Sequence, residues 1–368
     1  MELFETLSEM GHEEIVFLHD DDSGLKAIIA IHSTVLGPAL GGLRMWPYAT
    51  EADAMTDVLR LSRGMTYKAA VSGLNLGGGK AVLIGDPETS KSEGLFRNLG
   101  RFIDGLGGRY ITAEDVNTSV DDMEYVLMET DYVVGVPEVH GGGGDPSPFT
   151  AYGTLRGIEA CLMRKYGSTD MDKLSFAVQG VGHVGAHLVR MLRERGGKVF
   201  VTDINQERVQ QMVDELGAEA VPMADIYDVD ANVYAPCALG ATINENTVPR
   251  LKCDIVAGAA NNQLETTEWG TALEERGIVY APDYAINAGG LMNVAVELQG
   301  YDQERAYRMV KGVYDNIERI FRISMRDSIP TWQAADRLAE ERIESVRKVR
   351  AKFNRGQKSM LGDRGLNL

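Results

Sequence analysis

From Leu174 the sequence reads as a short apolar run, LSFAVQ, that leads directly into Gly180-Val181-Gly182-His183-Val184-Gly185. A helical apolar pattern follows at Ala186, Leu188, Val189, Met191 and Leu192. Strand, glycine turn and helix in that order leave few folds open. The first glycine makes a tight turn, the second clears space for a pyrophosphate, the third lets helix pack on strand, and the helix N-terminus faces the phosphates. A second strand-like run, Lys198-VFVTD, ends in Asp203, twenty-three residues after Gly180, where an acid can bind both hydroxyls of an adenosine ribose. The spacing predicts a dinucleotide site on Gly180, Val181, Gly182, His183, Val184 and Gly185. An acid at Asp203 would repel a 2′-phosphate, so the expected cofactor is NAD rather than NADP.

Beyond Asp203 the alternation continues through a helix with Val209, Met212, Val213 and Leu216. Three more runs follow, Asn232-VYAPC, Asp254-IVAGAANNQ and Ile278-VYAPDY. Strands separated by helices form a parallel, doubly wound α/β sheet whose carboxyl-end loops face the ligand. Ala238, Asn261, Asn262 and Asn287 therefore fall along the cofactor crevice, where amides suit the neutral carboxamide of nicotinamide. Thr150, Ala238, Asn261 and Asn287 complete the expected cofactor contacts. Two long amphipathic helices are expected at about 303–324 and 332–349, the last packing back on the first part of the chain, with a fraying tail after it. His183 and His187 share a helix face but lack a zincin glutamate, and Cys161, Cys237 and Cys253 have no metal-ligand spacing. No metal site is expected.

The earlier half is organised around GMTYKAAVSGLNLGGGK, from Gly64 to Lys80. Thr50 and Asp53 suggest a capping box, and Ala54, Met55, Val58, Leu59 and Ser62 a helix ending near Gly64, with Lys68 just beyond. Lys80 closes a triple glycine before the strand-like AVLIG, and glycines let backbone approach a ligand closely. Both amines are expected in one cleft, one to hold a carboxylate and one to handle a proton. Arg109-YITAED reads as a short strand whose end offers Asp115 as a partner for Lys80. The run GGGGDPSP from Gly141 can continue neither helix nor central strand, and marks a hinge between domains. A net charge of −17 leaves no basic stripe for nucleic acid. With no signal-peptide character in its opening residues and no apolar stretch of membrane-spanning length, the protein is expected to be cytoplasmic, with no membrane partner.

With these residues assembled, the chain resembles the glutamate, leucine, phenylalanine and valine dehydrogenase family over nearly its whole length, most closely the leucine branch. GPALGGLRM, GMTYKAAVSGLNLGGGKAVLIGDP, GRYITAEDV, GVGHVG, APCALGATIN, AANNQL and APDYAINAGG carry the likeness, in family order. The resemblance implies two domains with a deep cleft between them. One is an N-terminal mixed α/β substrate-binding and oligomerisation domain over residues 1–140, with helix 331–368 packing back on it. The other is a Rossmann-type NAD-binding domain over 141–330. It implies oxidative deamination of an L-amino acid to a 2-oxo acid, ammonia and NADH, by a homo-oligomer. Lys68 would bind the α-carboxylate, with Gly78 and Asn262 beside the substrate, and Lys80 would act at the reacting centre with Asp115 as proton relay. A lysine held near another in a closing cleft can serve as a base near neutral pH.

Where family members that use glutamate grip its distal carboxylate with lysine and serine, this chain has Leu40 and Val294. A buried, unpartnered carboxylate costs too much, so glutamate is expected to be a poor substrate. Ala113 and Leu291 complete an apolar wall suited to leucine, isoleucine and valine. Alternatives are an enzyme preferring phenylalanine or valine, which the rank order of an amino-acid panel would separate, and a catalytically silent NAD-sensing protein, which would give no signal with any of them.

Overall fold

Residues 3–352 are described by the computed structural model, in which the chain divides into two units. The first comprises the chain through Gly144, Val294–Gln303 and the residues from Ala339; the second comprises Asp145–Asn293 and Glu304–Leu338. The expected fraying tail, and the last part of the helix expected over 331–368, lie outside the described residues.

In the first unit the element order is α1 (Leu3–Met10), β1 (Glu14–Asp20), β2 (Leu25–Ser33), β3 (Ala39–Leu40), β4 (Leu43–Trp46), α2 (Glu51–Val71), β5 (Gly77–Ile84), α3 (Glu93–Asp104), β6 (Tyr110–Ile111) and α4 (Val120–Leu127). The six-stranded sheet runs β1-β2-β5-β3-β6, with β4 also on β5. It is mixed: β1, β2 and β5 pair antiparallel, whereas β3 and β4 lie parallel to β5. Strand alternation sends Ala27, Ile29, Ile31, Ala81 and Leu83 into a core with Leu95, Phe96 and Leu99 of α3. Ile28, Ala30 and Val82 point the other way, against Ala54, Val58 and Leu59 of α2. This two-sided burial explains why β2 reads as a continuous apolar run.

Helix α2 begins as expected, with the Thr50 hydroxyl accepting from the Asp53 N–H, but Gly64 does not end it. The helix continues to Val71 and carries Lys68 in its last turn. An interior glycine costs about 1 kcal/mol relative to alanine, and burial of Thr66, Ala69 and Ala70 outweighs it.

The second unit starts with α5 (Ser147–Tyr166) and continues through β7 (Ser175–Gln179), α6 (His183–Glu194), β8 (Lys198–Thr202), α7 (Gln206–Leu216), β9 (Glu219–Ala220), β10 (Val233–Pro236), β11 (Ile255–Val256), α8 (Thr267–Glu275), β12 (Val279–Tyr280) and α9 (Asp283–Ile286). Helices α10 (Gly289–Glu297), α11 (Gln303–Lys311), α12 (Val313–Asp327) and α13 (Thr331–Lys352) complete the chain order. All pairings in its sheet are parallel, in the order β12-β11-β10-β7-β8-β9. This is the doubly wound arrangement, in which chain order reverses between β7 and β10. The single helix expected over 303–324 is two helices, because the chain breaks at Gly312, the N-cap of α12. No helix among the described residues is long and apolar enough to cross a membrane.

Candidate active site

In the first unit the charged residues collect on the α2 side of the sheet. Lys80 is two residues from Val82 on β5 and so shares its face, and Arg44 of β4 lies directly beside Val82 in parallel register. Lys80 is 4% exposed, and its Nζ lies 2.9 Å from Oδ2 of Asp115, in the loop after β6. The same Oδ2 accepts from Nε of Arg44 at 3.1 Å. Arg44 also reaches back to α2, where its Nη1 donates to Oδ2 of Asp57 at 2.9 Å, and the Tyr48 hydroxyl donates to that oxygen at 2.7 Å. Burial by itself would raise the Asp115 pKa, but Lys80 and Arg44 beside it overcompensate and hold it at about 2. Asp115 is therefore a carboxylate throughout the neutral range.

The loop bearing Asp115 is tied down locally. The Asp115 N–H donates to Oγ1 of Thr118, which in turn donates to the Leu43 carbonyl at 2.8 Å. Asn117 adopts a left-handed φ of 60° and donates to the Met45 carbonyl, fastening the loop to β4.

The triple glycine is tightly packed within the protein. A Cβ on Gly78 would sit 2.1 Å from the Thr66 nitrogen of α2, and one on Gly79 would sit 2.7 Å from the Tyr110 ring. The space is taken by the protein itself. Gly78 thus lets α2 press against β5, which brings the helix turns that carry Lys68 to the strand that carries Lys80, and Gly79 makes room for the Tyr110 ring. Arg342 of α13 fixes that helix end, with Nη1 donating to the Leu74 carbonyl at 2.6 Å and Nη2 to the Gly73 carbonyl at 3.0 Å. Leu40 and Ala113 are buried, and Leu40 pairs with Gly78 on one side and Ile111 on the other. Val294 belongs to the same unit by chain assignment. Arg44, Asp57 and Tyr48 are the residues that reading the sequence missed. The available signal was an arginine within the apolar LRMW of a strand, since a charge in a buried strand needs a partner.

In the second unit each fingerprint glycine has a separate reason. Gly180 has φ +97°, and a Cβ there would lie 2.6 Å from that of Ala238. A Cβ on Gly185 would lie 2.0 Å from the Gly180 carbonyl oxygen, so helix meets strand only through glycine. Gly182, the N-cap of α6, meets nothing closer than an Arg208 nitrogen at 3.7 Å. That open side, at the start of a twelve-residue helix whose first N–H groups lack intrahelical acceptors, suits a phosphate. It borders a cavity of about 360 Å³ lined by Val181, Gly182, His183 and Arg208 among others. Asp203 follows β8 and accepts from the Val181 N–H at 2.8 Å and the Asn205 N–H at 2.8 Å, one on each oxygen. Each oxygen keeps a lone pair for a ribose hydroxyl.

Asn287 is buried; its Nδ2 donates to Oδ1 of Asn261 at 2.6 Å and to the Ala259 carbonyl at 3.0 Å. Its Oδ1 is buried with no hydrogen-bond partner among the described residues, an acceptor fit for a carboxamide NH₂. Thr150 of α5 lies beside Gly290, where a Cβ would be 2.7 Å from its Oγ1. Asn262 is exposed with φ 51°, and Leu291 is buried in the same unit. An open glycine at a helix start, an acid after β8 and an orphaned buried amide oxygen all fit a nicotinamide dinucleotide.

Comparison with known proteins agrees with this geometry. A family model described as Glu/Leu/Phe/Val dehydrogenase, dimerisation domain, matches residues 12–132, and one described as Glutamate/Leucine/Phenylalanine/Valine dehydrogenase matches residues 201–356. A leucine dehydrogenase of Bacillus subtilis (strain 168) is 56% identical over 364 residues, covering 99% of this chain and 100% of that protein. One from Geobacillus stearothermophilus is 56% identical over 353 residues, 96% of each. The crystal structure of L-tryptophan dehydrogenase from Nostoc punctiforme superimposes with a TM-score of 0.84 at 46% identity, covering 94% of this chain and 99% of that one.

Proposed function

The chain belongs to the glutamate, leucine, phenylalanine and valine dehydrogenase family, and on that premise we propose that it catalyses reversible, NAD-dependent oxidative deamination of branched-chain L-amino acids. Leucine is the preferred substrate, with isoleucine and valine beside it, and the products are the 2-oxo acid, ammonia and NADH. The enzyme works as a homo-oligomer, in keeping with the dimerisation description of its first family match.

Bound NAD supplies the hydride acceptor, and Gly182, Asp203 and Asn287 are the residues suited to hold its pyrophosphate, ribose and carboxamide. In the first unit Lys68 presents a compact cation to the substrate carboxylate. Lys80, in its amine form, takes a proton from the water that adds to the substrate imine carbon. It returns that proton to the amino nitrogen of the adduct, and accepts the proton of the new hydroxyl as the carbon–nitrogen bond breaks, which leaves ammonia and the 2-oxo acid. Asp115, bound through Oδ2, aims the Lys80 amine and balances its charge. Leu40 and Ala113 offer apolar contact to the side chain and no partner for a distal carboxylate.

The observation that carries this reading is the 2.9 Å contact between a buried lysine and a carboxylate at the end of the glycine run. Lys80→Ala should lower kcat for leucine by about 10²- to 10⁴-fold while NADH binding, followed by fluorescence, is kept. Near-normal turnover would sink the assignment. NADH absorbance across a panel of L-amino acids tests the side-chain preference, and a phenylalanine-first order would overturn it.

A further inference from the structure

Arg44 has no part in the mechanism above, yet it touches the group that aims Lys80. Its guanidinium spans two carboxylates at once, Asp115 through Nε and Asp57 through Nη1. Asp57 is itself held on the other side by the Tyr48 hydroxyl, which donates to the same Oδ2. The contacts run from α2 through β4 to the Asp115 loop and end on β5. Asp115 therefore receives both of its cations on one oxygen, Lys80 at 2.9 Å and Arg44 at 3.1 Å.

We propose that Arg44, braced by Asp57 and Tyr48, is a positioning residue for the proton-handling pair: it fixes the Asp115 carboxylate so that Lys80 is aimed at the reacting carbon. Lysine at this position could not do the same. A single ammonium has no planar fork with which to hold two carboxylates from separate nitrogens. The depressed pKa of Asp115 agrees with this arrangement, since two cations beside the carboxyl keep it ionised and able to orient Lys80 at neutral pH.

The inference rests on the reading of Lys80 and Asp115 as the proton-handling pair, so Lys80→Ala is measured beside the new variants. In the full-length enzyme, Arg44→Met should lower kcat by about 100-fold, the scale expected when a reacting group is displaced by about 1 Å. KM for leucine and for NAD should each stay within about threefold, because Lys68 and the second unit are untouched. Asp57→Asn should lower kcat by less. The double variant should be no slower than Arg44→Met alone, because Asp57 acts through Arg44.

A merely structural ion pair would instead reduce thermal midpoint and active fraction together, with additive losses, and that pattern overturns the proposal. So does kcat within twofold of the parent in Arg44→Met when Lys80→Ala is inactive, an outcome that leaves the Lys80 assignment standing. Near-normal turnover in Lys80→Ala removes both. Should Arg44→Met fail to fold, Arg44→Lys and Asp57→Asn decide: reduced kcat with unchanged KM and midpoint supports the role, and parental kcat in both refutes it.

Discussion

The two sites of this protein are built from different materials. In the second unit the proposed dinucleotide site is largely backbone: Gly180, Gly182 and Gly185 lie within six consecutive residues, and what matters is that no Cβ is present. In the first unit the site is side-chain charge. Lys80, Arg44, Asp115 and Asp57 come from two strands, a loop and a helix, and meet only because the sheet pairs as it does. The backbone site should fail through steric substitutions, and the charge site through isosteric ones.

The largest test of that contrast is Gly185→Val. With a Cβ facing an oxygen at 2.0 Å, helix α6 must move away from β7, and NADH affinity should fall by about 100-fold, roughly 3 kcal/mol. Retained affinity in a titration would mean that the glycine is not what closes helix on strand. Asp203→Ser removes a side chain from the same site and should cost less, about tenfold in kcat/KM with NAD, while narrowing the preference over NADP. Comparable efficiency of the parent enzyme with both cofactors would break the NAD reading.

For the charge site, Asp115→Asn changes almost no volume yet should lower stability by about 1–3 kcal/mol at pH 7. The sign follows from the depressed pKa. The contribution of ionised Asp115 is complete above its ordinary value near 3.8 and is lost as pH falls through about 2. Urea midpoints of parent and variant should therefore converge in acid, and a gap that is constant from pH 7 to pH 3 would refute the electrostatic account. The smallest effect is expected outside both sites. A Cβ on Gly64 meets nothing within 4 Å inside α2, so Gly64→Ala should stabilise by about 0.5–1 kcal/mol and raise the thermal midpoint with kcat unchanged.

The same contrast accounts for what could be read in advance. The parallel sheet, the order of its elements and the reason for each fingerprint glycine follow from local spacing, because a turn and the helix after it involve neighbours in the chain. Lys68, Lys80 and Asp115 could be named as candidates from their motifs, but the turn at Gly64 was misplaced, since a glycine's local cost does not reveal the burial that outweighs it. The triple glycine was read as letting backbone approach a ligand, and its packing against the helix backbone at Thr66 and the Tyr110 ring was not legible in the sequence. Arg44 went unnoticed because its partners lie thirteen and seventy-one residues away.

By itself, then, the sequence determined the α/β class and the glycine turn with its acid at Asp203, and it singled out the lysines and carboxylate proposed for the chemistry. These depend on contacts short in sequence or on residue types that few environments tolerate. Tertiary structure alone decided that Asp115 shares one oxygen between Lys80 and Arg44, that Asp57 braces the arginine from α2, and that Arg342 fastens the helix end bearing Lys68. Strand register and helix packing set those contacts, and they follow from the burial of the whole core rather than from any one stretch of chain.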